Sequence, residues 1–217
     1  MWDKLKEQFN LLKLEKKKLC LITSSDKFVS KDDFLDAIAS ALQGGVDMVI
    51  LREKTIPDNV IVDIGHKVRT LCDEYGATFI INDRADIAKI VEADGVHLGE
   101  NDVNINDARD VLGDNAIIGK TTHNPEEIKR AIKDNADYIT IGPFYFDENK
   151  NISGLELSIL DWIKENVKIP TFITGDINTN NIAELTNLGL KKFALTDQIM
   201  YAKIPEQTAR TFLKHIP

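Results

Sequence analysis

An apolar run turns abruptly polar in the stretch Phe79-Ile80-Ile81-Asn82-Asp83-Arg84. The same change occurs earlier, where Met48-Val49-Ile50-Leu51 is followed by Arg52-Glu53-Lys54. An apolar run without alternation is typical of a strand that is buried on both faces of a parallel sheet. Polar residues that directly follow such strands lie at the carboxyl edge of the sheet, where α/β enzymes place their chemistry. An amide, a carboxylate and two cations at that edge suit a magnesium-bound phosphate or diphosphate.

Size and charge narrow the classes of function. The chain has 217 residues, enough for one domain with a full core, and 43% of them are hydrophobic. Its formal net charge of −8 argues against a general nucleic-acid or anionic-membrane binder, which would need a basic face. The two cysteines, Cys20 and Cys72, are expected to be reduced packing residues. Residues 2–18 lack the apolar core of a signal peptide, and no stretch approaches the length of a membrane span, so a cytoplasmic location is expected.

Strand-like and helix-like segments alternate along the chain after a leading helix over residues 1–18. The strand candidates are residues 19–23, 48–51, 78–81, 95–98, 116–119, 138–141, 171–173 and 192–195. Eight strand-helix units without a linker predict an α/β protein with a single (β/α)8 TIM barrel over residues 19–217 and an extra N-terminal helix. A doubly wound open sheet is the alternative, but no glycine-rich dinucleotide loop follows the first strand.

Three turns before predicted strands share a small residue and an acid. They are Gly45-Val46-Asp47, Glu92-Ala93-Asp94-Gly95 and Asn135-Ala136-Asp137. In a barrel these turns lie at the bottom face, where residues serve stability, so their role is expected to be structural.

The predicted strand ends bring several polar residues to one face. They are Arg52, Lys54, Asn82, Asp83, Asp102, Thr121, Thr122, His123, Lys150, Gly175 and Asp176. Asp83 and Asp102 together would hold magnesium, which prefers oxygen ligands and shares them with a substrate diphosphate. Taken singly, each aspartate is more typical of a helix cap and Lys150 of an exposed loop. His97 is expected to be a strand histidine with a satisfied hydrogen bond, and nothing suggests zinc.

Five motifs, taken in order from about Leu19 to Ile199, resemble thiamine-phosphate synthase, within a superfamily that includes a thiazole tautomerase. They are Leu-Arg-Glu-Lys at 51–54, Ile-Ile-Asn-Asp-Arg-Ala-Asp at 80–86, Ala-Asp-Gly-Val-His-Leu-Gly at 93–99 with Asp102, Ile-Ile-Gly at 117–119 with Thr-His at 122–123, and Ala-Asp-Tyr-Ile with Ile-Gly-Pro at 136–143.

The resemblance implies a (β/α)8 barrel that joins hydroxymethylpyrimidine diphosphate to a thiazole phosphate and releases diphosphate with Mg²⁺. Arg52, Lys54 and Asn82 would contact the pyrimidine diphosphate. Thr121 would take the place of a diphosphate-contacting serine. Asp83 and Asp102 would bind magnesium. Lys150 would help the diphosphate leave, so the predicted catalytic cations are Arg52, Lys54 and Lys150. The expected partners are these small molecules and, as an open expectation, further copies of the chain.

Four departures from the family pattern stand in this sequence. Ile50 replaces a usual glutamine, Phe146-Asp147-Glu148-Asn149-Lys150 replaces Pro-Thr-x-Thr-Lys, Gly175-Asp176 replaces Gly-Gly, and Thr196-Asp197 replaces Val-Ser. The last three fall where the family grips the thiazole phosphate, leaving Gly175 as a predicted contact. Carboxylates there oppose an anion unless Lys191 or Lys192 compensates, so an acceptor without phosphate is expected.

Two other functions stay open on the sequence. The first is an isomerase like the thiazole tautomerase, with His123 as acid or base, although that branch is expected to lack the aspartate pair. The second is a non-catalytic paralogue that binds a thiamine precursor, which the altered acceptor loop favours.

Overall fold

Eight parallel strands form a closed barrel in the computed structural model, which describes residues 10–145, 154–156 and 158–217. The strands are β1 (Leu19–Ile22), β2 (Met48–Leu51), β3 (Thr78–Asn82), β4 (Gly95–Leu98), β5 (Ile117–Thr122), β6 (Tyr138–Ile141), β7 (Thr171–Ile173) and β8 (Phe193–Leu195). Each strand pairs with the next in parallel, and β1 pairs with β8 to close the ring. The predicted TIM barrel is confirmed.

The helices surround the barrel and alternate with its strands. They are α1 (residues 10–15), α2 (Lys31–Gln43), α3 (Asp58–Tyr75), α4 (Ala85–Ile90), α5 (Ile105–Leu112), α6 (Pro125–Lys133), α7 (Ile159–Asn166), α8 (Ile182–Asn187), α9 (Asp197–Met200) and α10 (Pro205–His215). Among the helices of the described residues, the short α9 after β8 was not predicted from the sequence patterns.

Alternate residues of each strand fill two separate cores. Met48, Ile80 and Phe172 belong to the inner core of the barrel, and each is fully buried. Their strand neighbours, such as Phe79 and Ile81, pack in the outer core between barrel and helices. Because both faces of every strand are buried, the strands read as continuous apolar runs.

The three acidic turns hold the bottom of the barrel together. Their carboxylates accept hydrogen bonds from backbone N–H groups of the preceding strand: Asp47 from Leu19 at 3.1 Å, Asp94 from Phe79 at 2.7 Å and Asp137 from Ile118 at 2.8 Å. The predicted structural role of these turns is confirmed.

Helix α1 closes the same end. Leu14 is 0% exposed and lies in the inner core with Met48 and Phe172. Lys13 Nζ lies 2.6 Å from a carboxylate oxygen of Asp94. Lys192 Nζ donates to the carbonyl oxygen of Leu14 at 3.0 Å, and so satisfies a backbone group at the end of α1.

Lys192 therefore does not supply the compensation that the sequence left open. It precedes β8 and points to the bottom of the barrel, away from the carboxylates of the acceptor side. The neighbouring Lys191 also stands before β8, at the amino end of the strand.

Two smaller expectations concern the cysteines and the membrane. Cys20 and Cys72 are buried and unpaired, as packing residues should be. Within the described ranges, no helix combines the length and the apolar composition that crossing a membrane requires.

Candidate active site

Polar side chains line the carboxyl end of the barrel as continuations of its inner face. Ile50, Ile80 and Ile117 belong to the inner core. Because side chains alternate along a strand, Arg52 and Asn82 continue that face at the ends of β2 and β3. Thr121 does the same on β5, which runs three residues further than its predicted end at Gly119.

Asp83 and Asp102 form the acidic centre of this mouth. Neither caps a helix, because the N-cap positions of α4 and α5 belong to Arg84 and Asn104. Asp83 adopts φ of 65°, in the left-handed region that aspartate tolerates better than most residues. Its backbone N–H donates to the carbonyl oxygen of His97 at 2.8 Å, which ties the end of β3 to β4. The carboxyl group of Asp83 lies beside that of Asp102 on the neighbouring loop.

The loop of Asp102 is held by a lysine that the sequence patterns missed. Asp102 Oδ2 accepts from the backbone N–H of Gly99 at 2.6 Å. Lys120 Nζ in turn donates to the carbonyl oxygen of Gly99, also at 2.6 Å. Lys120 lies in the part of β5 beyond the predicted strand, so its register opposite Leu98 could not be anticipated.

The surroundings of Asp83 raise the pKa of its carboxyl group. Burial raises the pKa of Asp83, and the adjacent carboxyl of Asp102 raises it further, while Lys54 opposes the shift. Lys54 Nζ lies 3.3 Å from Asp83 Oδ2, and more than half of its side chain is exposed. A half-buried pair of carboxylates with one exposed lysine is short of positive charge, and its hard oxygen donors fit a divalent cation.

The described residues do not complete a metal site alone. Among residues 10–145, 154–156 and 158–217, no group of three or more His, Cys, Asp or Glu side chains is arranged to hold a metal ion. Two carboxylates suit magnesium, which keeps waters and takes its other ligands from substrate phosphates.

Two residues of the charged segment after β2, Arg52 and Glu53, have different roles. Glu53 accepts from the hydroxyl of Thr23 at 2.8 Å and from Ser25, so it anchors the loop after β1. The backbone N–H of Arg52 also donates to Thr23 Oγ1, at 2.9 Å. In the described part of the chain Arg52 makes no ion pair, and its exposed guanidinium is open to an anion.

A buried imidazole on β4 contacts three hydroxyls that belong to β5 and β6. His97 Nε2 lies 2.9 Å from Thr121 Oγ1 and 3.4 Å from Thr140 Oγ1, and His97 Nδ1 lies 3.0 Å from Tyr138 Oη. Burial lowers the pKa of His97 to about 4, with a further contribution from Lys120, so the imidazole is neutral at pH 7. The expectation that His97 is a hydrogen-bonded strand histidine is confirmed.

A family model described as thiamine monophosphate synthase matches residues 19–199. The chain belongs to the thiamine monophosphate synthase family.

Relatives and a solved structure agree with this family. Thiamine-phosphate synthase of Fusobacterium nucleatum is 40% identical over 199 residues, which are 91% of this chain and 96% of that protein. The structure of thiamine phosphate pyrophosphorylase from Pyrococcus furiosus superposes with a TM-score of 0.82 at 32% identity, covering 94% of this chain and 96% of the other.

Other family members are much longer than the part that this chain matches. The match to the thiamine-phosphate synthase of Thermosynechococcus vestitus, at 35% identity, includes 96% of this chain but only 58% of that protein. For the enzyme of Prochlorococcus marinus, at 38% identity, the share is 57%.

The ends of β7 and β8 carry the departures from the family pattern. Gly175 has φ of 136°, and a Cβ there would lie 2.7 Å from the backbone nitrogen of Phe144, so a side chain is excluded. Asp176 Oδ1 accepts from Gln198 Nε2 at 2.8 Å. Asp197 Oδ2 lies 3.4 Å from Lys27 Nζ, an exposed contact that water screens. Both aspartates are thus exposed at the mouth of the barrel.

Two predicted residues remain to be considered: Lys150, which is not among the described residues, and His123. Lys150 lies outside the described residues, as do Asp147 and Asn149, and their roles stay predictions from the family pattern. His123 is half-exposed, and its Nδ1 lies 3.0 Å from Glu127 Oε2 in the first turn of α6. Its backbone N–H donates to the same carboxylate, so its position is accounted for by the start of α6.

Proposed function

We propose that this chain is a magnesium-dependent transferase that joins hydroxymethylpyrimidine diphosphate to a thiazole and releases diphosphate, as the names of its relatives suggest. The observation that carries the proposal is the adjacent pair Asp83 and Asp102, with Lys54 on one of the two carboxylates. Arg52 and Asn82 stand on neighbouring strand ends. A site that combines an acidic pair with cations and an amide suits a diphosphate bound together with a metal ion. It suits a metal ion alone or a diphosphate alone less well.

The proposed roles follow from what each side chain offers. Asp83 and Asp102 would hold Mg²⁺, which would act as a Lewis acid on the diphosphate oxygens. Arg52 and Lys54 would neutralise the remaining negative charge, and Thr121 would contribute its hydroxyl group. Gly175 would line the acceptor side. Lys150, placed by the family pattern alone, would act on the leaving diphosphate.

The proposed reaction needs leaving-group stabilisation and no strong base. The C–O bond to the diphosphate breaks, the electron pair leaves with the diphosphate, and a pyrimidine cation remains. The thiazole nitrogen then forms the new C–N bond with its lone pair and loses no proton. Cations aimed at the developing diphosphate charge lower this barrier, whereas the neutral imidazole of His97 is a weak base with a pKa of about 4.

A diphosphate-release assay tests the proposal. The purified chain is given hydroxymethylpyrimidine diphosphate and Mg²⁺ with the thiazole alcohol or the thiazole phosphate. Release that depends on the pyrimidine, the metal and a thiazole is the expected result. Binding of the substrates without release would instead support a non-catalytic paralogue. Interconversion of thiazole tautomers without pyrimidine would support an isomerase.

Lys120 gives a prediction about the metal. Replacing it with Met removes the hydrogen bond that holds Gly99, and with it the loop of Asp102. We expect Lys120→Met to raise the Mg²⁺ concentration for half-maximal release by about tenfold, as loss of a charge-assisted hydrogen bond allows. Turnover at saturating Mg²⁺ should change little. Calorimetric titration with Mg²⁺ checks the loss of affinity without any reaction.

Lys89→Met is the matched control for this variant. Lys89 Nζ also donates to a backbone carbonyl, that of Val111, at 2.7 Å on the outside of the barrel. Lys89→Met should leave the Mg²⁺ requirement unchanged. Lys120→Arg, which keeps a cationic donor, should retain most of the Mg²⁺ affinity that Lys120→Met loses. A wild-type metal titration curve for Lys120→Met would show that the lysine does not position Asp102.

The acceptor side carries a second prediction, because the family pattern puts two carboxylates of this chain, Asp176 and Asp197, where an acceptor phosphate would lie. A like-charge pair at about 4 Å costs roughly 1 kcal/mol in water and about 4 kcal/mol at an effective dielectric near 20. Asp176 and Asp197 are exposed, so the lower figure applies, and Lys27 offsets part of the charge of Asp197. We propose that this chain prefers a thiazole without phosphate, such as the thiazole alcohol.

The double variant Asp176→Gly with Asp197→Ser tests this preference. It should improve kcat/KM for the thiazole phosphate by about tenfold and leave that for the alcohol nearly unchanged. Steady-state rates with each acceptor measure both values. Efficient use of the phosphate by the unmodified chain, with no use of the alcohol, would contradict the preference while leaving the transferase proposal intact.

A further inference from the structure

Three side chains inside the barrel form a hydrogen-bonded row from Tyr138 through His97 to Thr121. We propose that His97, held by Tyr138, is a positioning residue that makes the Thr121 hydroxyl a hydrogen-bond donor to an anion at the mouth. This inference rests on the proposed function, because the anion in question is the diphosphate of the substrate.

The direction of donation along these hydrogen bonds is set at Tyr138. Its side chain is 0% exposed, and burial raises the pKa of the phenol well above its ordinary value, so the hydroxyl keeps its proton. Within the described residues its hydrogen-bond partner is His97 Nδ1, at 3.0 Å. A buried hydroxyl left without an acceptor is costly, so the phenol donates and Nδ1 accepts.

The hydrogen bond from Tyr138 determines which nitrogen of the His97 imidazole carries the proton. His97 is 4% exposed, and within the described residues its ring nitrogens contact only the hydroxyls of Tyr138, Thr121 and Thr140. With no carboxylate in contact to stabilise a charged ring, the buried imidazole is neutral. A neutral imidazole carries one proton, and with Nδ1 accepting, that proton lies on Nε2. Nε2–H then donates to Thr121 Oγ1 at 2.9 Å, with Thr140 Oγ1 further away at 3.4 Å.

Thr121 receives one hydrogen bond and has its own proton left to give. No second partner for its hydroxyl occurs in the described part of the chain, and the residue is partly exposed at the end of β5. Its proton therefore serves a group at the mouth, on the side where Arg52 and Asn82 also end their strands. A hydroxyl that already accepts from an imidazole is suited to an oxyanion and unsuited to a cationic ligand.

Nitrogen NMR of the unmodified protein tests the direction without any substrate. The sequence has four histidines, and the signals of His97 are those lost in His97→Gln. We expect a protonated Nε2 and an unprotonated Nδ1 at pH 7, because the buried phenol of Tyr138 donates its hydrogen bond to Nδ1. A proton on Nδ1 at pH 7 would overturn the proposal whatever the activity of the protein.

Binding of inorganic pyrophosphate with Mg²⁺, measured by calorimetry, tests the consequence. Thr121→Val should weaken binding by about tenfold, as expected for one hydrogen bond to a charged group. His97→Leu should weaken it several-fold, because the hydroxyl is then free to turn, and the double variant should be no weaker than Thr121→Val. His97→Gln should bind like the unmodified protein, since its amide can accept from Tyr138 and donate to Thr121.

The outcomes separate this inference from the function on which it rests. Additive losses in His97→Leu and Thr121→Val, or a His97→Gln protein as weak as His97→Leu, would overturn the positioning role alone. Failure of the unmodified protein to bind pyrophosphate would overturn the diphosphate site itself, and with it the partner assigned to Thr121.

Discussion

Replacing Asp83 or Asp102 with asparagine is expected to lower the rate of diphosphate release by about a hundredfold or more. Each variant removes one of two charges that would hold the metal, and the proposed reaction depends on stabilising a leaving group that carries several negative charges. Release rates at saturating pyrimidine diphosphate, measured across a range of Mg²⁺ concentrations, give the size of the loss.

Asparagine is the right substitution because it preserves the local structure. Asn tolerates the left-handed φ of 65° that Asp83 adopts. At position 102 an amide oxygen can still accept from the N–H of Gly99, as Asp102 Oδ2 does at 2.6 Å. Both variants should therefore keep the fold, and a loss of activity in either one reports on the missing charge.

Asp110→Asn provides the matched control. Asp110 is an exposed carboxylate on α5, the helix that follows the loop of Asp102, and its removal changes the net charge equally. Its activity should equal that of the unmodified chain. Full activity of both site variants, or undiminished activity in EDTA, would remove the metal assignment.

The barrel could be predicted because its physical cause is local. Each strand is buried on both faces, so residues such as Phe79 and Ile80 are apolar in succession, and the change at Asn82 marks the strand end. The same reasoning placed Asp83 at the mouth and Asp94 at the bottom, because a residue after a strand and a residue before one lie at opposite ends. Lys192 follows this rule as well, because it stands before β8 and lies at the bottom of the barrel, so it does not compensate the carboxylates of the acceptor side.

The contacts inside the mouth could not be predicted, because they depend on how the ring closes. The alternation of residues along one strand does not say which neighbour stands beside it. Only the register of β4 with β5, with His97 opposite Gly119, brings the imidazole to Thr121. Gly119 also leaves the space that Tyr138 fills, since a Cβ there would lie 2.1 Å from the tyrosine ring. The role of Lys120 could not be predicted for the same reason, because its partner Gly99 follows a different strand.

The helix before the barrel carries the second large effect. Leu14→Ala is expected to lower the free energy of unfolding by about 3 kcal/mol, within the range for truncating a fully buried leucine. Leu14 is 0% exposed and packs in the inner core with Cys20, Met48 and Phe172, so the truncation leaves a cavity at the bottom of the barrel. Urea denaturation followed by circular dichroism measures the change.

Leu12→Ala on the same helix separates burial from helix formation. Leu12 is 57% exposed, and the two substitutions alter intrinsic helix propensity equally. Its loss should change the free energy of unfolding by no more than about 0.5 kcal/mol, as is usual for surface positions. Equal and small effects of the two variants would mean that residues 10–15 rest on the barrel without contributing to its core. A large loss for Leu14→Ala alone would make α1 part of the folding unit, because the inner core of the barrel then depends on a side chain that lies before β1.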